Sequence, residues 1–475
     1  MSNEPAAPEL PIGSGFALGD CAPPPILSSV TVTTDRYSGG TVSLDSPAAP
    51  ATGFPAVDLD AIDLSDREFW GEPPSLRYAV YDKLRRERPF AFYAEPEVPF
   101  IPAGPGYYAV TRHADLEAIS SQPKLFCSGQ GAVSIPDMPA ELNEFYGSMI
   151  SMDDPRHAKI RRIVAKTFTP RMLERLVDSV QQIADDVAEK ARQKAAAGDG
   201  TIDVVADFAA PIPLWVICDM MGIPQEERQQ VLQQSNIILS GGDPDLIADE
   251  NEILTKFLEA GGYLSDLMNR LAAERVADPR DDLTTALVHS EVDGEKLTHQ
   301  EIASFFILLC VAGNETTRTA ISQGILALHE HPDQKARWIA DPGLTPTAVE
   351  EIVRWVSPVI WMRRTATQDT EVNGHPVTAG DKLILFYQAA NRDPAVFRDP
   401  EVFDLGRDPN PHVGFGAHGP HFCLGAHLAR REIGVAFRTL FDKLPDLEVC
   451  GEPERLKNSF VNGLKRLPAR LTGVA

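Results

Sequence analysis

From Asp58 onward, apolar residues recur with the period of helices far more often than with that of strands. YAVYDKLRRERP predicts an amphipathic helix, and GYYAVTRHADLEAISSQP a strand passing into a short helix. Phe126 to Asp153 is broken by Gly and Pro and predicts a long loop. Helical patterns then run to about Arg275, and HPDQKARWIA and Thr347 to Trp355 add further helices. Short strands cluster late, where DTEVNGHPVTAGDKLILFY predicts a hairpin. No internal repeat is found. The pattern predicts a mainly helical fold with a smaller β-rich part, not alternating βαβ units.

One helix stands out. LTHQEIASFFILLCVAGNETTRTAISQGILALHEHP opens on a capping box, Thr298 with Glu301, and predicts a helix from Glu301 to about Glu330. Its first half is apolar almost all round, the mark of central burial. Polarity then breaks in at Ala312, Gly313, Asn314, Glu315, Thr316 and Thr317. A solvated patch where the helix leaves the core is one explanation. The other starts from cost: a helix-interior Gly loses ~1 kcal/mol against Ala, and a buried carboxylate is expensive unless paired or used. Gly313 would let something flat approach the backbone, and Thr316 can bond back to a helix carbonyl and open the helix locally. An acid beside an alcohol at that point suits proton delivery to a bound ligand.

Two further helices carry paired chemistry. TAVEEIVRW places Glu351 and Arg354 on one face; on a surface helix such a pair is commonplace. MDDPRHAKIRRIVAKTF starts after Asp153-Asp154-Pro155 and puts His157 and Arg161 on one face. Lys159, Arg161, Arg162 and Lys166 make it a basic island, either a solvated face or a place for an anion or an acidic protein.

Composition narrows the setting. Among 475 residues, 68 acidic against 44 basic give a formal charge of −24, which argues against nucleic acid or anionic lipid binding over the general surface. No apolar run reaches the ~20 residues that span a bilayer, and the start lacks the layout of a signal peptide. The six cysteines have no framework spacing, which favours a reducing, cytoplasmic setting. Residues 1–57, rich in Pro, Ala, Ser and Gly with Arg36 their only basic residue, are expected to be disordered apart from a possible hairpin from Val30 to Asp45. Residues 58–475 are expected to form one functional domain.

Candidate chemistry concentrates in FGAHGPHFCLGAHLARREI, Phe415 to Ile433. Cys423 could be a buried structural thiol, part of a zinc site with His418, His421 and His427, or a thiolate held for iron. Helical periodicity after Cys423 places it at a helix amino terminus, where unpaired amides lower a thiol's pKa. Gly414, Gly416 and Gly419 would let the loop fold tightly beneath a flat ligand, with Phe415 as a shielding ring and His421 as a donor. The histidines are too crowded for zinc, and no second cluster exists to complete such a site. A plain thiol leaves the glycines unexplained; thiolate ligation of haem iron accounts for them.

These residues resemble the cytochromes P-450. FGAHGPHFCLG is similar to their haem-binding loop, AGNETT to their oxygen-binding groove, EEIVR to their Glu-x-x-Arg pair, and DDPRHAKIRR and RRTATQD to their haem-propionate segments. All occur in the family's order. The resemblance covers about Asp58 to the end and implies a large helical part, a smaller β-rich part, and haem b held between the long helix and the cysteine loop. It implies Cys423 as axial ligand and His157, Arg161, Arg364 and His421 as propionate contacts. Ala312, Gly313 and Phe415 would flank the haem, Glu315 and Thr316 would be the acid–alcohol pair, and Glu351 with Arg354 the structural ion pair. Two departures stand. The loop is one residue longer than the commonest pattern, with Ala417-His418 between Gly416 and Gly419. Val402 occupies a position where many members carry an arginine, leaving Arg407 and Arg392 as candidates for the third partner of the ion pair.

The match is closest to members that hydroxylate terminal methyls of sterol side chains and branched lipids, through IASFFILLCVAGNETTR, VEEIVRWVSPV, NPHVGFG and ERLKNSFVNGLKRLP. That subgroup implies a monooxygenase using O2 and electrons from a separate ferredoxin and its reductase, and a monomer is expected. Val359, Ile360, Trp361 and Met362, with Phe460 and Val461, would line an apolar pocket for a hydrophobic substrate. Lys159, Arg162, Lys166, Arg171, Arg430 and Arg431 would receive an acidic ferredoxin. Competing readings are oxidation of a terpenoid or other secondary metabolite at a non-terminal carbon, a peroxide-driven enzyme, and a haem-thiolate sensor. The intact acid–alcohol pair weighs against the last two.

Overall fold

The central helix organises the fold. In a computed structural model, which describes residues 54–473 except 97, 99–100, 168–169, 240–242, 244–246, 248 and 292, it starts as His299–Leu308 on the expected capping box. Thr298 Oγ1 accepts from the Glu301 amide at 3.1 Å, and the Glu301 carboxylate accepts from the Thr298 amide at 2.9 Å. The helix passes through a π-turn at Leu309–Gly313 and continues as Asn314–Glu330. The candidate hairpin over residues 30–45 lies outside the described residues.

Burial explains the length of this helix. Ile302, Phe305, Phe306 and Ile307 before the π-turn, and Ala320, Ile321 and Leu328 after it, sit in the largest apolar cluster. Helices Pro170–Ala197, Pro211–Met221, Ile253–Ala277 and Ala426–Lys443 contribute to the same cluster.

The β part differs from the expectation in where its strands come from. A five-stranded sheet runs in the order Phe90–Tyr93, Tyr107–Val110, Lys382–Phe386, Trp361–Ala366, Phe126–Cys127, so early strands flank late ones. The expected hairpin is realised only in its first part, Thr370–Val372 against His375–Val377 about Asn373 and Gly374. Lys382–Phe386 leaves it for the larger sheet, because its side chains are buried along the whole strand and need a sheet core on both faces.

The long loop expected between Phe126 and Asp153 contains a helix, Ala140–Gly147, and a 3-10 turn, Ser148–Ser151. Pro139 stands just before it, where the fixed φ of proline suits a helix start. Reading Pro and Gly purely as breakers missed that they bracket this helix.

Candidate active site

Cys423 lies in irregular backbone just ahead of the helix Ala426–Lys443. The loop closes on itself, with the Cys423 amide donating to Phe415 O at 2.9 Å and the Gly416 amide to Val413 O at 2.8 Å. Gly416 needs its glycine for a φ of 89°. Gly414 needs it for another reason: an added Cβ would stand 2.5 Å from Val353 Cγ1, so the loop is pressed against the Glu-x-x-Arg helix. The Arg430 guanidinium lies 4.4 Å from the Phe415 ring centroid. His418 and His427 are exposed, and no group of three metal-ligating side chains is found among the described residues, so the zinc reading falls.

The expected depression of the thiol pKa is not observed. Burial pushes the Cys423 thiol up, and the Gly425 amide, Arg161 and Arg430 offset this only in part. The regular helix begins too far on for its dipole to dominate. A bound metal cation would hold such a thiol deprotonated.

The residues around the cysteine fit a haem. His157 and His421 rings lie 4.2 Å apart, and Arg161 Nη2 donates to Phe422 O at 2.6 Å. Burial, then Arg364, His157 and Arg161, push His421 down to about 2, so its imidazole is neutral at working pH. The charged neighbours acting on it are all basic. Burial also lowers His157, whose Nε2 is enclosed without a hydrogen-bond partner. Arg364 Nη1 donates only to the carbonyl of its neighbour Arg363, at 2.7 Å. Donors gathered in a buried corner with an unanswered ring nitrogen suit the carboxylates of haem propionates.

The central helix opens on one side at its π-turn. Leu309, Gly313 and Thr316 are partly exposed and Ala312 is exposed, a stripe at helical spacing in the middle of a helix that is buried over most of its length. Thr316 Oγ1 donates to Ala312 O at 2.6 Å, the expected back-bond, directly beside the π-turn. Gly313 has a more local role than anticipated, since its missing Cβ would meet Ile217 Cδ1 at 3.0 Å. Glu315 is buried and ion-paired with Arg318, and accepts from Thr319 Oγ1 at 3.3 Å. It is next to Thr316 in sequence but engaged elsewhere.

Glu351 and Arg354 are completely buried. Arg354 donates through Nε and Nη2 to the two carboxylate oxygens at 2.7 and 2.8 Å, which excludes the commonplace surface pair. Of the two candidate third partners, Arg407 completes the cluster, its Nε 3.1 Å from Glu351 Oε2. Arg392 does not, because its guanidinium is stacked 3.8 Å from the Tyr78 ring centroid and 4.5 Å from that of Trp355. Asn410 Nδ2 adds a donor at 3.1 Å that sequence reasoning missed, since nothing in its surroundings marks it.

The two apolar segments meet. Val359 bridges Val461, the Ile360 amide donates to Phe460 O at 2.8 Å, and the Trp361 and Phe460 rings are 5.0 Å apart. They are not all lining residues, however. Ile360 and Trp361 are enclosed in a core with Trp70, Tyr81 and Phe386, and Val461 is also buried. Val359, Met362 and Phe460 keep exposed surface.

The basic island is not free. Lys159 is paired with Glu295, Arg162 with Asp293 at 3.4 Å, and Arg430 with Glu350 at 2.5 Å. Arg431 is exposed, and the side chain of Arg171 is outside the described ones.

Glu432 was missed altogether. It sits buried on the helix after the cysteine and is pushed up to about 8 by burial, which the neighbouring Thr317 hydroxyl only partly offsets. The available signal was a carboxylate on the same face as Ala429, Ile433 and Ala436.

Comparison with known proteins agrees with this geometry. The sequence profile of cytochrome P450 matches residues 140–341 and 339–462. A methyl-branched lipid omega-hydroxylase of Mycobacterium tuberculosis is 47% identical over 415 residues, covering 87% of this chain and 95% of that protein. A steroid C26-monooxygenase of Mycolicibacterium smegmatis is 38% identical over 373 residues, covering 78% and 84%. A Mycobacterium marinum cytochrome P450 solved in complex with pseudoionone superposes with a TM-score of 0.80 at 42% identity, covering 87% and 99%.

Proposed function

The chain belongs to the cytochrome P450 family of monooxygenases, and from that premise we propose that it hydroxylates the terminal methyl of a methyl-branched lipid, isoprenoid or sterol side chain. The observation that carries the reading is surface left open on apolar elements: the stripe Leu309, Ala312, Gly313 and Thr316 on the central helix, and Val359, Met362 and Phe460 where the two apolar segments meet. None of these side chains is ionised, so hydrocarbon burial at ~25 cal/mol per Å² would drive binding. A passage between such apolar surfaces would admit a chain end first. The curated relatives named above act on branched lipids and steroids, which supports that substrate class.

Haem b, bound through Cys423, would supply activation of O2 and oxidation of the C–H bond. His157, Arg161, Arg364 and His421 would hold its propionates. Thr316 would hold a proton donor on the open face of the helix. Glu315, paired with Arg318, would deliver a proton only after leaving that partner. Glu432, near Thr317, is a carboxyl that burial holds protonated within the helix packing. Electrons would come from a ferredoxin and its reductase, and no helix of the described residues is long and apolar enough to cross a membrane.

The test is a spectral-shift screen of holoenzyme against methyl-branched fatty acids, sterols and linear terpenoids, followed by product analysis by mass spectrometry. Terminal oxidation of branched chains supports the reading. Oxidation confined to ring or mid-chain carbons overturns it and leaves the monooxygenase assignment intact.

A further inference from the structure

The outer face of the helix Arg156–Thr167 already holds carboxylates. His157 and Arg161 turn inward toward the cysteine loop, while Lys159, Arg162 and Lys166 follow one another at helical spacing on the outside. Lys159 is ion-paired with Glu295. Arg162 Nη1 is 3.4 Å from Asp293 Oδ2, and Lys166 Nζ donates to the Glu291 carbonyl at 3.2 Å. All three partners come from one turn between the helices Leu283–His289 and His299–Leu308. Asp293 and Gly294, with φ of 56° and 80°, set its bend.

These contacts contribute little to folding. Arg162 and Asp293 are 61% and 76% exposed, and Lys159 and Glu295 are 38% and 54% exposed. Pairs so exposed are weak and readily exchanged. Two of the three contacts are to carboxylates and the third to a backbone carbonyl, so in a chain of charge −24 this face takes anionic and acceptor groups.

We propose that Glu291, Asp293 and Glu295, in the turn before the central helix, form an intramolecular competitor for this basic face, displaced when an acidic electron-donor protein docks. The inference rests on the reading that a ferredoxin supplies the electrons. Because each pair is weak, the turn does not block docking. It raises the concentration of donor needed, and its own carboxylates repel the approaching partner until it swings aside. Rim charges of this kind act on association and its salt dependence more than on the chemistry that follows.

The experiment uses haem-loaded enzyme, an acidic ferredoxin with its reductase, and NADPH, over a salt series. Asp293→Asn with Glu295→Gln is expected to lower the ferredoxin KM by about two- to fivefold at low salt. The same variant should steepen the salt dependence and leave kcat and substrate affinity unchanged. Asp60→Asn with Glu68→Gln changes net charge equally but breaks pairs with Arg88 and Lys457 instead, and is expected to leave KM unchanged. If KM stays at the wild-type value in the turn variant while wild type remains salt-sensitive, the competitor idea fails and the donor reading stands. An equal fall in the control variant overturns it as a net-charge effect. Absence of ferredoxin-driven reduction in every variant, with the haem reducible by dithionite, overturns the donor reading and this inference with it.

Discussion

Removing Arg354 and removing Arg407 perturb the same buried carboxylate, yet they should differ in cost. Glu351 accepts from Arg354 Nε and Nη2 at 2.7 and 2.8 Å, from the Asp404 amide at 3.0 Å, and from Arg407 Nε and Asn410 Nδ2 at 3.1 Å. Arg354→Ala leaves that carboxylate beside one guanidinium that also serves three carbonyls, those of Arg398, Asp399 and Val402. It also strips a donor from Asn391 O and Pro400 O. Breaking a buried pair in this way costs ~3–5 kcal/mol. Arg407→Ala keeps the bidentate fork and loses its charged hydrogen bond to Glu351, about 1.5–3 kcal/mol, while the three carbonyls it also serves lie in exposed surroundings where water can replace it. Against a total of about 5–15 kcal/mol, the first change should leave little soluble holoprotein and the second a folded enzyme with a lowered midpoint. Urea unfolding followed by tryptophan fluorescence, with Trp355 beside the cluster, measures both. Equal losses for the two variants at unchanged m would refute the dominance of the fork. An Arg354→Ala enzyme as stable as wild type would refute the burial argument itself.

Glu432 is protonated in the fold up to about pH 8, whereas a free glutamate ionises near 4.5. Between those values the folded state binds the extra proton, so stability should fall as pH rises across that window and level off above it. Glu432→Gln should flatten the fall, and an unchanged profile of Tm against pH would count against the assignment. Thr316→Ala should keep haem and substrate binding but divert reducing equivalents to hydrogen peroxide; wild-type coupling of NADPH to product would show that its hydroxyl is not needed. Cys423→His should abolish the red-shifted ferrous–CO band that reports a thiolate ligand, and survival of that band would displace Cys423 from the iron. Val359→Phe should weaken binding of bulky ligands more than of linear ones in spectral titrations, and equal weakening would remove Val359 from the passage.

Sequence reasoning succeeded best where the decisive relation was helical spacing. The capping box Thr298–Glu301, the Thr316 back-bond and the Glu351–Arg354 pair all depend on residues three or four apart, and their geometry follows from the helix period. It stopped where partners come from distant elements. Arg407 and Arg392 were indistinguishable as third partners until Tyr78 and Trp355 were seen to enclose Arg392. Ile360 and Trp361 are as apolar as any pocket wall, and only the core around Trp70 and Phe386 assigns them to packing. The basic island was visible as charge, while its carboxylate partners came from a turn more than a hundred residues further along. Glu432 went unnoticed because one acid in an amphipathic helix is ordinarily on its wet side.

The π-turn at Leu309–Gly313 has a bearing on how this enzyme could be altered. An α-helix turns about 100° per residue, and a π-turn accommodates one residue beyond the regular count. The two halves of the central rod are therefore out of phase with each other by about that angle. Deleting Val311 to restore a uniform helix would rotate Thr298, Glu301, Phe305 and Phe306 away from their present neighbours, or else swing Ala312 and Thr316 off the open side. The segment acts as a phase adapter, and the cap and the open stripe can be grafted onto another scaffold together only if the extra residue travels with them.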